Sequence, residues 1–230
     1  APETAMQWLE QVRSAIPYYG LFVSVLGHLL GALGYSLLFG CGATDMVMSG
    51  LCGILGGLLN RFMDKMKVNP FFETIFSAFS MALLAYWLNT HGLVQNVNSV
   101  VIGALMILVP GLLFTNAMRD IIYGDTNSGI TRFVQVLLIS MGMALGTAVA
   151  WNTSDLLWGM PHNLVELSNP LLVTAIGSLI GCIGFSILFN IHGPGGLLCA
   201  LGGVVTWVGF VLIQQLGTGE IFAYFAGAFF

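Results

Sequence analysis

Long apolar runs alternate with short polar breaks along the whole chain. Runs near 18–39, 46–62, 71–88, 97–114, 131–151, 170–189 and 196–214 each approach the roughly 20 residues that cross a hydrocarbon core, and an eighth begins at Ile221. Within each run the apolar positions are continuous rather than alternating, and backbone in lipid must satisfy its own hydrogen bonds. The pattern therefore predicts helices and excludes a strand barrel. The expected fold class is all-α, a polytopic membrane helical bundle.

The runs contain a repeat. "LFVSVLGHLLGALGYSLLFG" from Leu21 and "LLVTAIGSLIGCIGFSILFN" from Leu171 align at a constant offset of 150, which superposes Gly27, Gly31, Gly34, Ser36, Leu38 and Phe39 on Gly177, Gly181, Gly184, Ser186, Leu188 and Phe189. The register holds without a gap as far as Leu51 and Gly53 against Leu201 and Gly203. An odd number of spans separates the copies, which turns the second one over in the membrane. The sequence thus predicts inverted five-span repeats with the second repeat truncated: a juxtamembrane segment 1–17, a first repeat 18–151, an outer loop 152–169 and the start of a second repeat 170–230. Many secondary transporters share this plan. Gly27 with Gly31, Gly177 with Gly181, Gly53 with Gly57 and Gly142 with Gly146 are small residues one turn apart, the spacing that lets helix backbones approach closely.

Composition agrees with a membrane class. Only 7% of the 230 residues are charged and 57% are hydrophobic, with a mean hydropathy of +0.91. No basic run or stripe exists, which excludes nucleic acid as a partner. Cys41, Cys52, Cys182 and Cys199 have no paired spacing and read as small core filler. No basic segment precedes a short apolar one at the start, so no signal peptide is expected. Arg13 precedes the first span, Arg61, Lys65 and Lys67 follow the second, and Arg119 and Arg132 lie between the fourth and fifth, whereas 40–45, 89–96, 152–169 and 215–220 hold no Lys or Arg. This asymmetry predicts a cytoplasmic N-terminus. Residues 2–16 form either an amphipathic helix on the inner interface or a linker, and Trp87, Trp151 and Trp158 fit an aromatic belt on the outer one.

Charge is concentrated in "PGLLFTNAMRDIIYGDTNSGITR", residues 110–132, which holds two of the six basic residues and two of the ten acidic ones. Pro110 deletes a backbone donor and Gly111 removes stiffness, so the fourth span is expected to break there and present a half-helix N-terminus suited to a carboxylate. Beyond the break, Thr115 with Arg119 and Asn116 with Asp120 form two adjacent rows, predicted as a polar stripe facing the bundle interior. The competing reading ends the span near Phe114, with Arg119 and Arg132 snorkelling at the interface and Asp125 or Ser128 capping the fifth helix. His28, His91, His162 and His192 are scattered, so neither an enzyme nor a metal site is expected, and nothing in the chain calls for a cofactor.

The stretch resembles the signature of the threonine/serine exporter family: V-P-G at Val109 to Gly111, T-N-A-x-R-D at Thr115 to Asp120, and G-D-x-x-S-G-x-x-R at Gly124 to Arg132. The resemblance covers the whole chain, since the family's second half opens with a segment similar to Gly184 to Phe189. It implies a proton-driven exporter of threonine and serine in the bacterial inner membrane, with a substrate site at Pro110, Gly111, Thr115, Asn116, Arg119, Asp120, Asp125, Ser128 and Arg132. The implied partners are a small-molecule substrate, membrane lipid and either a second copy of the chain or a missing C-terminal half. Relatives made as two chains are associated with succinate export, so a dicarboxylate exporter subunit is the alternative, and a non-transporting scaffold subunit the third. The family's cytosolic N-terminal domain has no counterpart here, and Gln135 stands where members often carry an acid; an amide cannot carry a proton.

Overall fold

The computed structural model describes Met6, Trp8 and residues 19–159, 169–217 and 219–228. The helices among them are α1 (Leu21–Leu38), α2 (Ala43–Met66), α3 (Pro70–Thr90), α4 (Val97–Leu105), α5 (Gly111–Ile122), α6 (Thr126–Trp158), α7 (Leu171–Leu188), α8 (Pro194–Gln215) and α9 (Glu220–Gly227). No strand occurs among the described residues. The rest of the expected amphipathic segment, and residues 160–168 of the expected outer loop, lie outside them.

Six of these helices are long and apolar enough to cross a membrane, and the pair Val97–Leu108 and Gly111–Ile122, bent by 52°, makes up to seven. The protein is a polytopic helical membrane protein. Two expected spans are lengthened, to Ala43–Met66 and Thr126–Trp158. Helix α2 begins at Ala43 rather than near 46, and α6 continues to Trp158, so the first residues of the expected loop 152–169 are helical. Polar residues do not stop α6 because their side chains bond back to their own helix: Asn152 Nδ2 donates to the Ala148 carbonyl at 2.9 Å and Thr153 Oγ1 to that of Val149 at 2.7 Å. At 33 residues α6 is about 50 Å long, more than a hydrocarbon core requires.

Local chemistry starts and stops the other helices. Asn69 accepts the Phe71 N–H at 2.9 Å, and Pro70, whose ring pre-sets a helical φ, follows it at the head of α3. Asn96 accepts the Ser99 N–H at 3.2 Å at the head of α4.

The two copies of the sequence repeat meet at the centre. A Cβ on Gly34 would fall on the backbone of Gly177 and Gly181, and a Cβ on Gly184 would fall on that of Gly27 and Gly31. Each contact becomes the other when 150 is added to one residue number and subtracted from its partner. The same exchange carries Leu37 against Gly177 into Ile187 against Gly27, and the edge-on pair Tyr35–Phe185, with ring centroids 5.2 Å apart, into itself. It also relates the bonds that tie the ends: Asn169 Nδ2 donates to the Cys41 carbonyl at 3.1 Å, and Tyr19 Oη to the Ile191 carbonyl at 3.3 Å. Helices α1 and α7 are therefore antiparallel and related by a local two-fold axis. The glycine spacing expected to permit close approach does so here, and in Gly142 and Gly146 of α6 against the α3 backbone.

Helices α2, α3, α4 and α6 build the main core around Met81, Ala82, Ala85, Val97, Val100 and Ala104. Trp151 packs edge-on against Tyr86 in this core, while Trp87 and Trp158 are exposed near the same end of the bundle.

Candidate functional site

The signature folds as a bent hairpin. Helix α4 tightens into a 3-10 turn at Met106–Leu108, the chain becomes extended at Val109, and α5 restarts at Gly111. Helix α5 then runs to a tight turn at Tyr123–Gly124, where Gly124 adopts φ +92°, a conformation open to glycine and strained for other residues. The chain returns as α6, and the two helices touch at Ala117 and Gly129; a Cβ on Gly129 would strike Ile121 and the Ala117 carbonyl. Gly124 and Gly129 of the motif thus serve the hairpin itself.

This turn gathers three of the expected site residues. Asp120, 17% exposed, takes an ion pair from the guanidinium of Arg132 at 2.9 Å and a hydrogen bond from Ser128 Oγ at 3.3 Å. The Asp125 N–H donates to the Asp120 carbonyl at 2.9 Å and braces the turn. Charge-assisted bonds of this kind are stronger than neutral ones and fix the two helices in register.

The remaining expected residues are dispersed, which corrects the stripe expected from sequence. Thr115 is exposed and its hydroxyl donates to the Gly111 carbonyl of its own helix at 3.0 Å. Arg119 is exposed and makes no ion pair among the described residues. Asp125 occupies the N-cap position of α6 but its side chain makes no capping bond. Asn116 is half-buried. The reason is the 52° bend, which directs one face of α5 toward α6 and leaves the Thr115–Arg119 row on the other side. Pro110 and Gly111 do sit at the break, and Gly111 lines a cavity of about 390 Å³ there with Tyr35, Val109, Leu112, Cys182 and Phe185. That cavity is apolar, and none of the polar signature residues reaches it. No cluster that could hold a metal occurs among the described residues.

One acid escaped sequence reasoning. Asp45, fully buried in the first turn of α2, accepts the backbone N–H groups of Gln95 at 2.8 Å and Asn96 at 3.0 Å. A buried carboxylate is tolerable only when so partnered, and here it also faces the positive end of the α4 dipole. Its signal was a lone acid inside "GATDMVMSG". Beside it, burial pushes the Cys41 thiol up to about 11, and the Asp45 charge adds to this against the hydrogen bond Cys41 donates to Ser36 Oγ. Cys41 is thus a neutral packing group, as expected of filler.

With the hairpin in view, the comparison with known proteins is decisive. A family described as putative threonine/serine exporter matches residues 1–154. The chain belongs to the threonine/serine exporter family. A second family, described as threonine/serine exporter, matches residues 174–230, so the two matches fall on either side of the α6–α7 connection. A threonine/serine exporter of Corynebacterium glutamicum is 23% identical over 160 residues, covering 68% of this chain and 33% of that protein. The chain spans about a third of the length of that curated relative. No solved structure matches.

Proposed function

We propose that this exporter-family chain forms part of a secondary transporter that moves small amino acids of the serine and threonine type out across the bacterial inner membrane, with proton coupling and a cytoplasmic N-terminus. The observation that carries the reading is the Asp120–Ser128–Arg132 cluster between the second half of the broken span and the start of α6. Ionisable groups on membrane helices are costly and are kept where they handle polar cargo. Asp120 occupies Arg132, which leaves Arg119 as the signature cation without a partner among the described residues. One free cation suits the single carboxylate of an amino acid, whereas a dicarboxylate requires two.

The organisation expected from the repeat belongs to the same proposal. The first copy then runs from residue 18 through α6 and the second opens with α7 and α8, inverted about the α1–α7 axis. Helix α4 covers the α1–α2 face by resting on Ser36 and accepting Ser49 Oγ at the Val100 carbonyl at 3.2 Å. At the equivalent position Ser186 is buried and Cys199 exposed, and the apolar cavity of about 390 Å³ lies against both; a C-terminal half or a second copy packed there would complete the transporter.

Counterflow in proteoliposomes of the complete exporter, with labelled serine, threonine and succinate, tests the function. Arg119→Lys should lose most threonine transport at normal abundance, because an ammonium cannot reproduce the bidentate grip of a guanidinium. Asp120→Asn should uncouple export from the proton gradient. Succinate counterflow without serine or threonine would reverse the reading.

A further inference from the structure

At the end of the bundle opposite the signature turn, a cavity of about 920 Å³ opens between the end of α1, the starts of α4 and α7 and the last turns of α8. Its polar side chains are Asn96, Asn98, Ser99, Asn169, Thr174, Gln214 and Gln215, and no Lys, Arg, Asp or Glu contributes. The chamber combines these amides and hydroxyls with apolar Leu38, Phe39, Ile102 and Val211, and its lining carries no charge.

Several of its polar groups lack partners. Asn96 is only 6% exposed; its Oδ1 accepts the Ser99 N–H at 3.2 Å, which fixes the amide orientation and leaves Nδ2 without a partner among the described residues. That donor is left to the cavity, which Asn96 lines. Asn169 shows the complementary case: its Nδ2 donates to the carbonyls of Leu37 at 2.9 Å and Cys41 at 3.1 Å, and its Oδ1 is left without one. Helix α7 starts beside both with Pro170 at its N-cap and no side-chain cap, so its first N–H groups and the positive end of its dipole are open at Leu171, a lining residue. The indole N–H of Trp207, another lining residue, is buried without a partner.

We propose that this cavity is a binding vestibule for small zwitterionic amino acids, a second station distinct from the signature hairpin; the proposal rests on the exporter reading above. The carboxylate is held by Asn96 Nδ2 and the open start of α7, and the ammonium by Asn169 Oδ1 and the amide oxygens of Asn98 and Gln214. Absence of lining charge selects the class. A dicarboxylate would find no cation and an organic cation no acid, whereas a zwitterion brings both charges and needs only dipoles. The volume exceeds that of one such molecule, so the ligand is taken with part of its water.

The test is threonine counterflow by the complete exporter in proteoliposomes, with KM and maximal rate measured separately. Asn96→Asp keeps the oxygen that caps α4, since aspartate caps as well as asparagine, and sets a negative charge where the carboxylate would lie. It should raise KM at least tenfold. Asn98→Leu and Gln214→Leu, at exposed positions with no hydrogen bond to lose among the described residues, should each raise KM several-fold with the maximal rate near wild type. A KM within twofold of wild type for Asn98→Leu and Gln214→Leu, or a fall in maximal rate at unchanged KM, overturns the vestibule while leaving the exporter intact. Wild-type vesicles that carry neither serine nor threonine overturn the exporter reading and this ligand with it.

Discussion

Asp120 and Arg132 are unequal partners, and the inequality is measurable. The Asp120 side chain is 17% exposed and that of Arg132 42%. Removing the arginine strands a mostly buried carboxylate with one hydroxyl donor; removing the carboxylate frees an arginine that can hydrate. Arg132→Gln should therefore lower the apparent melting temperature in detergent more than Asp120→Asn, by an amount corresponding to about 1–2 kcal/mol. Equal shifts would show that the pair contributes no more than an ordinary exposed bridge. The sequence made these residues visible but not their grouping. Spacing along one helix put Thr115 with Arg119 and Asn116 with Asp120, yet which row meets α6 depends on the bend at Val109 and the left-handed turn at Gly124. Asp45 was hidden for a related reason: its partners are backbone N–H groups, which no residue pattern records.

For the helices, the glycines carry the clearest consequence. Helical runs were legible because apolar length alone specifies them, and Gly27 and Gly31 were legible as contact residues. Their partners became legible only through the repeat, because a contact that exchanges under an offset of 150 joins each glycine to the opposite copy. Gly34→Ala and Gly184→Ala each place a Cβ on the other helix's backbone. Both should destabilise the α1–α7 pair by about 1–3 kcal/mol, and by similar amounts, because their surroundings are equivalent. Gly111→Ala is the control. Nothing lies within 4 Å of its Cβ position, so it should be neutral or gain up to about 1 kcal/mol of helix propensity. Thermal melts of the three variants decide this, and a large loss only at Gly34 would deny the local two-fold.

For the whole molecule the remaining question is direction in the membrane, since the fold fixes which ends lie together but not which side each faces. Bonds from Asn169 to the Leu37 and Cys41 carbonyls, and from the Gln95 and Asn96 N–H groups to Asp45, gather the turns at 39–42, 91–96 and 169–170 at one end. Stacking of Tyr19 on His192, with centroids 4.2 Å apart, places 19–20 with 189–192 at the other. Arg61, Lys65 and Lys67 close α2 at this second end, where Arg119 and Arg132 flank the turn at Gly124; the turns gathered at the first end hold no Lys or Arg. By the cation rule we propose that the signature hairpin lies on the cytoplasmic side and the cavity on the outer side, so that in the proposed export cycle cargo would meet the charged hairpin on entry and the uncharged vestibule on exit. In a cysteine-free background, an impermeant maleimide added to intact cells should label Leu93→Cys and leave Lys67→Cys unmodified until the membrane is opened. Both side chains are exposed, so access alone decides the result. The opposite pattern would reverse the chain in the membrane and turn the vestibule into the entry site, while the exchange of contacts between α1 and α7 would stand unchanged.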